Sequence, residues 1–542
     1  MIVSDRLLIR LSPRGAAEIE ATGFRCRRLG QATIAWMGED APAGHGEEIE
    51  ILDTFAAETA SSAPQIFNRI AWRDDTLTIT SDPLNLKPLY VARDGEEVFF
   101  ASRLLDLVKL RPALARPLDR EALLALLVFG HVLDEQTLHQ RIRRLPADSA
   151  ATWSTAAGLQ TTLRHGLISD LPDVMGALAH SLLTDIDAII SDHLHALPMP
   201  TGQRPIIALS GGFDSRILAA RARAMNIPLQ AYTYGRWRDR DAVIARWIAR
   251  RLQLDHQLLP YPDDVLRRHR AHFLDVTEGQ DDPSLLQIAN LLSLPHPQGT
   301  VLLHGYGGGS LLGDNISNWM HDNAQNRPAL LAAIVRKSGI PAAKASALAS
   351  SLGLADDALI RRVSAAAEVE AYPYHHQALM AWDLKNRQRR FIGEHFGLLG
   401  HRFKVRAPFY DARLMKLCMA LPAGLLEERL LDRLYLKQFF PRLAQIPHDQ
   451  EATPVLPDVK DELLMALIDK LLRPTNIWRY TLGHDDQEAQ RLMTESAAAL
   501  SNIMRDVWDE AIDLPAAAAS DQRVRKRIWG FVDYSRRLAK LI

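Results

Sequence analysis

The sequence predicts an α/β protein in two parts, an antiparallel β-rich domain followed by a parallel-sheet domain with a helical C-terminal portion. Short alternating apolar stretches separated by turn residues fill residues 1–110. From about residue 170, Ala, Leu and Arg recur three or four residues apart, which indicates helices. Short apolar runs lie between these helical segments, and strands alternating with helices favour a doubly wound parallel sheet. We therefore expect domains at residues 1–165 and 170–542.

Composition and charge exclude several classes of function. The 542 residues are 47% hydrophobic and 24% charged, as is usual for a globular protein. Lys plus Arg number 64 and Asp plus Glu 65, so we expect no nucleic-acid partner. Two cysteines are too few for a disulfide framework. No apolar run reaches the ~18 residues of a membrane span, and the first residues lack a signal-peptide pattern. We expect a cytoplasmic protein without membrane contact.

The first domain should contain a sheet built from alternating segments. Four runs carry the pattern most clearly, at residues 7–11, 32–36, 76–80 and 97–101. Turn residues separate them, which favours antiparallel pairing.

Residues 205–220 predict a phosphate-binding loop in the second domain. An apolar run at 206–209 indicates a buried strand, the glycines interrupt it, and a helical pattern follows. Strand, glycine turn and helix start direct backbone N–H groups and the positive helix end at one point, where a phosphate can bind. Asp214 can hold a magnesium ion bound to the same phosphates. The loop residues predicted to bind the nucleotide are Ser210, Gly211, Gly212, Asp214 and Ser215.

Other strand ends supply further nucleotide-binding candidates. Residues 230–235 and 255–259 predict a second and a third strand. Because ligands bind outside the carboxyl ends of parallel strands, Leu209, Tyr234 and Gly235 are candidates for contact with the adenine and ribose. A fourth strand ends at His304 and is followed by Gly305 and a segment with five glycines in nine residues. That segment is either a flexible loop or part of the same site.

Five ordered segments between about residues 75 and 445 resemble the asparagine synthetase superfamily. The S-G-G-x-D-S string at 210–215 resembles the pyrophosphate loop of enzymes that split ATP between its α and β phosphates. Residues 305–314 resemble the S-G-x-G-x-D-E-L-x-G-G segment that lines the nucleotide in that superfamily. The other three segments lie at 87–103, 137–146 and 406–414. The resemblance implies a glutaminase-like (Ntn-type) domain, an ATP-pyrophosphatase domain, and ATP with Mg²⁺ as cofactors. It also implies that His304 and Gly305 line the nucleotide.

The first domain departs from this pattern at its nucleophile. Glutaminases of the superfamily use an N-terminal cysteine, whereas residue 2 here is Ile2 and Cys26 lies too deep in the chain. Isoleucine offers no nucleophile. We expect a glutaminase scaffold without its activity.

The second domain departs at three positions. Gly309 and Ser310 stand where the superfamily has Asp and Glu, and Asp314 could replace the missing carboxylate only if the loop is rearranged. Tyr306 matches the tyrosine of the proton-abstracting pair of β-lactam synthetases, so it is a catalytic candidate with Asp214; packing on the nucleotide is the alternative. Gln450 stands at the place of a late catalytic lysine.

Two further residues have expected structural roles. Lys437 lies near the position of the late lysine but belongs to a segment that is usually structural. For Asp411, in the 406–414 segment, we favour the structural role of capping a helix.

These features predict ATP-dependent amide formation through an acyl adenylate. With no working glutaminase, an amine on the substrate itself is the simplest nucleophile, and the product is then a ring. The combination resembles lasso peptide cyclases, which implies a precursor peptide as substrate, with a leader peptidase and a leader-binding protein as possible partners. The alternatives are a small-molecule amide synthetase, of the asparagine or β-lactam type, and a nucleotide-binding relative without catalysis.

Overall fold

The first part of the chain forms one large, mainly antiparallel sheet. The computed structural model describes residues 2–15, 19, 23–38, 48–55, 58, 65–164, 179–199, 202–260, 265–317, 320, 327–448, 487–512 and 521–542. Within these ranges the first sheet has eleven strands. They are β1 (Ile2–Leu11), β2 (Arg25–Leu29), β3 (Ala32–Gly38), β4 (Ile49–Asp53), β5 (Asn68–Arg73), β6 (Thr76–Ser81), β7 (Tyr90–Asp94), β8 (Glu97–Ala101), β9 (Ile142–Arg144), β10 (Ser149–Ser154) and β11 (Gly158–Leu163).

Strand β1 organises this sheet. It pairs antiparallel with β3 and β8, and its first residues pair parallel with β4. The four predicted strands lie in β1, β3, β6 and β8, and the prediction of a largely antiparallel sheet is confirmed. The parallel β1–β4 pair, in which Ile2 lies opposite Ile51, was not predicted, because pairing between residues so far apart in the chain leaves no local sequence pattern.

Both faces of the first sheet are buried. Successive side chains along a strand point to opposite faces and so enter different apolar clusters. Leu7, Ile9 and Leu11 of β1 pack into an apolar cluster made only of first-sheet residues and their connections. Leu8 points the other way, into the large core that continues into the second domain. The period-two pattern therefore separates one core from the other.

The second sheet has five parallel strands in the order β14–β13–β12–β15–β16. Its strands are β12 (Ile206–Ala208), β13 (Gln230–Tyr234), β14 (Asp255–Leu259), β15 (Thr300–Leu303) and β16 (Phe403–Arg406). The chain moves outward from β12 in one direction through β14 and then resumes on the other side at β15. The carboxyl ends on either side of β12 therefore form the crevice where ligands bind in such sheets. The predicted parallel-sheet domain with a helical C-terminal portion is confirmed.

Helices cover the second sheet and extend to the end of the chain. In the described ranges the α-helices are α1 (Leu104–Leu110), α2 (Arg120–Phe129), α3 (Ala179–His195), α4 (Phe213–Ala224), α5 (Arg240–Leu252), α6 (Val265–Thr277), α7 (Gly308–Leu311), α8 (Arg327–Arg336), α9 (Ala342–Ser351), α10 (Ala358–Ala367), α11 (His375–Asp383), α12 (Glu394–Gly400), α13 (Ala412–Ala420), α14 (Ala423–Leu426), α15 (Leu430–Phe439), α16 (Pro441–Ala444), α17 (Gln487–Ile503) and α18 (Gln522–Leu538). Shorter 3₁₀ turns and π-helical stretches connect them, at Pro112–Ala115, Pro283–Ser293, Val369–Ala371, Leu384–Ile392, Glu427–Arg429 and Met504–Trp508. No helix in the described part of the chain has the length and apolar character needed to cross a bilayer.

Polar contacts join the two parts of the chain. The Glu278 carboxylate accepts hydrogen bonds from Leu104 N–H at 2.7 Å and Leu105 N–H at 2.8 Å, which satisfies the first turn of α1. The Tyr410 hydroxyl accepts from Leu84 N–H at 2.9 Å and donates to Asp82. The predicted boundary between residues 165 and 170 lies outside the described residues.

Candidate active site

The loop after β12 folds back on itself through its two serines. Ser210 N–H donates to Ser215 Oγ at 2.9 Å, and the two hydroxyl oxygens are 3.0 Å apart. Gly212 N–H donates to Ser210 Oγ at 3.3 Å. Helix α4 begins at Phe213, so its N-terminal N–H groups lie beside these hydroxyls. The loop therefore presents donors at the positive end of a twelve-residue helix, as an anion site requires.

A cavity of about 260 Å³ lies against this loop at the carboxyl ends of β12, β13 and β15. We call it the nucleotide cavity. Eight of the predicted residues line it, and they are Leu209, Ser210, Asp214, Ser215, Tyr234, Gly235, His304 and Gly305. Gly211 and Gly212 belong to the adjoining turn rather than to the lining, and Tyr306 does not line it. Three separate segments, 209–215, 234–235 and 304–305, thus meet in one crevice.

Two acidic residues near the start of α5 complete the polar wall, and sequence reasoning missed both. Asp241 accepts a hydrogen bond from Gly211 N–H. Asp239 Oδ2 accepts from Arg236 N–H at 2.7 Å. Gly235 has a φ of +142°, and a Cβ there would come within 3.0 Å of Asp239 Oδ2. Because both strain and space exclude a side chain at this position, Gly235 lets the backbone turn tightly against Asp239. A signal was available, since both acids follow directly after a predicted strand end.

Asp214 lies in a cluster of three carboxylates around one guanidinium. Arg429 donates to Asp214, to Asp314 Oδ1 at 2.9 Å and to Asp432. Gly309 N–H also donates to Asp214 Oδ2, at 3.2 Å. The Arg429 side chain is 9% exposed. The backbone of this residue has a φ of +58°, so a strained conformation places the cation beside the loop. Sequence reasoning missed Arg429 entirely.

Asp314 occupies the space next to Gly309. A Cβ on Gly309 would lie 2.2 Å from Asp314 Oδ2, so the Asp314 carboxylate takes the place where a side chain at position 309 would project. The chain reaches this arrangement through a turn at Gly313, which has a φ of +105°. Asp314 therefore lies where a carboxylate at position 309 would project, although it is not part of the cavity lining.

Burial sets the protonation of this cluster. It raises the pKa of Asp214, while the neighbouring Arg429 acts in the opposite direction. Burial also raises the pKa of Asp432, to about 7. The carboxylates raise the pKa of Arg429 against the effect of its own burial, so the guanidinium remains charged. One cation thus offsets a concentration of negative charge at the loop.

Tyr306 is buried and packs away from the nucleotide cavity. It is 2% exposed, and its ring lies 5.0 Å from that of Phe396 and 5.7 Å from that of Tyr410. Burial raises the pKa of its hydroxyl well above the usual value, with Asp82 and Asp383 adding to the effect. A tyrosine in this position is harder to deprotonate than one in water. The geometry disfavours both proton abstraction and packing on the nucleotide.

Two neutral imidazoles add polar atoms to the nucleotide cavity. His304 and His395 both line it, and their ring centroids are 5.3 Å apart. Burial lowers the pKa of His304 to about 4 and that of His395 well below its usual value, with His304 contributing to the latter. Their Nδ1 atoms have no hydrogen-bond partner among the described residues. Buried polar atoms without partners fit a site that a polar ligand completes.

The structure describes the predicted helix cap at Asp411 and part of the region where relatives have a late catalytic lysine. Asp411 accepts from Arg413 N–H at 2.7 Å and Leu414 N–H at 3.3 Å, which confirms it as the cap of α13. Lys437 lies in the last turn of α15 and is exposed. Gln450 lies outside the described residues. Arg216 holds the segment before it, donating to Ile446 O at 2.8 Å and to Pro447 O at 2.7 Å.

The residues present fit a nucleotide and its metal. The cavity is bounded by loop N–H groups, two serine hydroxyls and orphaned imidazole nitrogens, and a Cβ at Gly305 or Gly308 would strike Asp214 at 2.8 or 2.6 Å. Asp214 and Asp314 would supply the one or two carboxylates by which Mg²⁺ is usually held alongside phosphates. No cluster of three or more metal-ligating side chains occurs within the described ranges.

The residue that the family resemblance places at the nucleophile position is Ile2, which has an aliphatic side chain. Ile2 is 2% exposed and pairs with Ile51 inside the sheet. Cys26 lies on β2, exposed and paired with Ala35. Below β1, Lys87 and Asp53 form a buried pair at 3.7 Å. This region offers no nucleophile within its described residues at the place the family resemblance implies.

Two family models match separate parts of the chain. Residues 201–449 match the asparagine synthase family, and residues 59–163 match a glutamine amidotransferase domain. Together the two matches support the asparagine synthetase-like superfamily and, in general terms, an ATP-dependent ligase that makes amides. The asparagine synthase family binds ATP, usually with Mg²⁺.

Comparisons with individual proteins add little. No curated protein matches the chain. Among solved structures, the allosteric regulatory enzyme of purine biosynthesis is 8% identical with a TM-score of 0.18, covering 47% of this chain and 74% of that one. The glutamine phosphoribosylpyrophosphate amidotransferase from B. subtilis, complexed with ADP and GMP, is 10% identical with a TM-score of 0.18, covering 57% and 71%. Similarity at this level does not bear on function.

Proposed function

We propose that this protein closes a macrolactam ring in a lasso-type precursor peptide, using ATP to activate a side-chain carboxylate as an acyl adenylate. The observation that carries the proposal is the presence of two features in one chain. The second domain has a loop suited to bind phosphate, and the first domain has isoleucine where the family resemblance implies a nucleophile. The loop supports activation by ATP. Ile2 has no nucleophilic side chain, so we propose an amine source other than glutamine.

The chemistry divides into two balanced steps. The substrate carboxylate attacks the α phosphate of ATP, and the bond to pyrophosphate breaks. An amine then attacks the acyl carbon, an amide forms, and AMP leaves with the amine losing a proton. Magnesium at Asp214 and Asp314 would offset negative charge on the phosphates.

The chain's own residues bind and position the reactants. The loop N–H groups and the Ser210 and Ser215 hydroxyls are donors to phosphate oxygens. Arg429, held by three carboxylates, keeps positive charge next to Asp214. Fixed donors and charges of this kind stabilise developing charge without reorganising during the reaction.

An internal amine is the nucleophile that best fits a domain without glutaminase chemistry. Holding both ends of one substrate in a site makes the second step unimolecular, with effective molarities of up to ~10⁵–10⁸ M when geometry is good. Free ammonia at millimolar concentration should then compete poorly. The buried Tyr306 gives no support to a β-lactam synthetase-like alternative.

Two measurements test the proposal. ATP–pyrophosphate exchange with a candidate precursor peptide tests carboxylate activation, and no exchange above background would leave only a nucleotide-binding role. Mass spectrometry with excess labelled ammonia tests ring closure. We expect a product lighter than the peptide by one water and free of label, whereas stoichiometric label would make the protein an ammonia-dependent amide synthetase.

A further inference from the structure

A second cavity, of about 320 Å³, lies among α2, α18 and the π-helical stretch after α11. We call it the basic cavity. Its volume falls at the lower end of the ~300–1,000 Å³ typical of ligand pockets. Its charged lining consists of one carboxylate, Asp282, and five basic side chains, Lys337, Arg387, Arg523, Lys526 and Arg527. An excess of positive charge therefore lines a concave site.

Two buried carboxylates, Asp282 in the lining and Asp383 behind it, offset only part of this charge. Asp282 already serves two cations, Arg527 at 3.2 Å and Lys526 at 3.6 Å. Arg523 donates to the Gly339 carbonyl, which is uncharged. Arg387 forms no hydrogen bond or ion pair with any residue that the structure describes, although it is half-buried. Arg387 and Lys337 both act electrostatically on the Asp383 carboxylate, so five cations share two carboxylates. Because partly desolvated cations are costly without enough counter-charge, the basic cavity favours an anion.

The opposite wall is aromatic. Trp382 and Phe129 lie with ring centroids 5.8 Å apart, and Phe391 stands nearby. Trp382 is 1% exposed, yet its Nε1–H has no acceptor within the described ranges. Buried indole N–H groups are nearly always paired, so this donor is available to a ligand. The combination suits an anion attached to an apolar group.

A chain of contacts connects the basic cavity to the nucleotide cavity. Lys337 Nζ lies 3.7 Å from Asp383 Oδ1, and Asp383 accepts a hydrogen bond from Ser310 Oγ. Ser310 adjoins Gly309, whose N–H donates to Asp214. The glycine-rich segment 305–311 therefore lies between the two cavities, and an extended substrate could reach both.

We infer that the basic cavity binds a carboxylate with an adjoining apolar group. This carboxylate belongs to the peptide substrate and is not the one that reacts with ATP. The second half of this inference rests on the proposed function. The reacting carboxylate must reach the nucleotide cavity, so the carboxylate held by Arg387 is a different one. In a peptide, the C-terminal carboxylate or another acidic side chain can fill this role.

Calorimetry with a matched pair of small probes tests the site. N-acetyl-phenylalanine carries a carboxylate beside an aromatic group, and its primary amide has nearly the same shape without the charge. We expect the acid to bind the full-length protein and the amide to bind at least about tenfold more weakly, as loss of charge-assisted hydrogen bonds requires. Arg387→Gln should weaken binding of the acid by about tenfold or more.

Control variants separate this result from damage to the fold. Arg361→Gln changes an exposed arginine of α10 that pairs with Asp357 outside the basic cavity, and it should bind the acid like the unchanged protein. Arg523→Gln is a second cavity variant at an exposed position, in case Arg387→Gln fails to fold. Equal binding of acid and amide, or binding unaffected by both cavity variants, would overturn the inference. Inorganic phosphate bound as tightly as the acid would overturn the assignment to a carboxylate.

The binding test needs neither ATP nor amide formation, so its failure is distinguishable from that of the proposed function. Exchange activity without acid binding would refute only the basic cavity's role. Acid binding through Arg387 without exchange activity would support the carboxylate site and remove the amide-forming role.

Discussion

The two sheets of this protein differ in what lies at the ends of their strands. In the first sheet, Ile2 and its neighbours on β1 are buried between two apolar clusters. In the second, the strand ends open into a cavity lined by carboxylates, hydroxyls and imidazoles. The scaffold is held by the core, whereas the chemistry depends on a few side chains at strand ends.

A buried ion pair in the first domain contrasts with the open cavity in the second. Burial raises the pKa of Asp53 to about 6, and its partner Lys87 is also buried and has a lowered pKa. Lys87 Nζ donates to the Asp5 carbonyl at 2.7 Å and lies 4.9 Å from the Phe55 ring centroid. Lys87 is satisfied by the protein itself, whereas Asp53 Oδ1 accepts no hydrogen bond from a described residue. Around Asp214, His304 and His395 likewise keep buried Nδ1 atoms without a partner among the described residues, but these two side chains line a cavity.

Substitution of Asp214 should reduce the activity of the second domain more than any other change considered. We expect Asp214→Asn to lower ATP–pyrophosphate exchange at least about a thousandfold, or ~4 kcal/mol in the barrier, because the metal-binding carboxylate is removed while the shape is kept. Asp314→Asn should have a smaller effect of the same kind. Pyrophosphate release at varied Mg²⁺ concentration measures both.

The matched control is Asp357→Asn, an exposed aspartate of the α10 start that should change nothing. Calorimetry on Asp214→Asn should also show weakened binding of the magnesium–ATP complex. Near-normal turnover of this variant would remove Asp214 from the site.

Arg429 should matter for stability as well as for the site. Arg429→Gln leaves Asp432, which is almost fully buried, without its cation, and breaking a buried pair in this way costs about 3–5 kcal/mol in the free energy of unfolding. Urea denaturation measures the loss. The double variant Arg429→Gln/Asp432→Asn should recover part of it, because the uncompensated charge is gone.

Arg433→Gln is the matched control, since Arg433 also lies over the Phe213 ring, at 5.5 Å, but is only half-buried. A loss below about 1 kcal/mol for Arg429→Gln would mean that solvent compensates the cluster and that Asp432 is not effectively buried.

The contrast between the sheets also explains what the sequence could predict. Apolar runs with a period of two or flanked by glycines located four of the eleven strands of the first sheet and four of the five strands of the second. Asp411 was recognisable as a cap from its local pattern. Arg429 and Asp214 are separated by 215 positions, and no periodicity links them. His395 and Asp241 likewise enter the site only because the parallel sheet brings separate segments to one edge. Local signals predicted the loop, and the long-range contacts that tune it needed the structure.

The contact between Glu278 and the start of α1 should make the free energy of unfolding depend on pH. Burial raises its pKa from 4.5 to about 7 even though Leu104 and Leu105 N–H groups favour the ionised form. The folded state therefore binds the proton more tightly than the unfolded state, and the contribution is present below pH ~4.5 and lost as pH rises through ~7. We expect on the order of 3 kcal/mol of pH-dependent stability from this group.

Chemical denaturation of the unchanged protein and of Glu278→Gln between these pH values measures the effect. The variant should be less stable at low pH but should show a flatter pH dependence. Glu96→Gln, at an exposed glutamate paired with Arg14, should leave the slope unchanged. Parallel curves for Glu278→Gln and the unchanged protein would show that Glu278 keeps an ordinary pKa.

The smallest expected effect is that of substituting Cys26, which tests whether the first domain lacks glutaminase activity. Cys26 is exposed on β2, and Cys26→Ala should change the free energy of unfolding by no more than about 0.5 kcal/mol, as for most surface substitutions. Purified protein given glutamine should release no glutamate above background, with or without Cys26, because a thiol within a paired strand has no N-terminal amine beside it to act as base. The buried Cys418 supplies an internal comparison, since burial raises the pKa of its thiol far above the usual range and leaves it unreactive. Glutamate release that disappears in Cys26→Ala would show that the first sheet still carries a nucleophile, and the contrast between the two regions would fail.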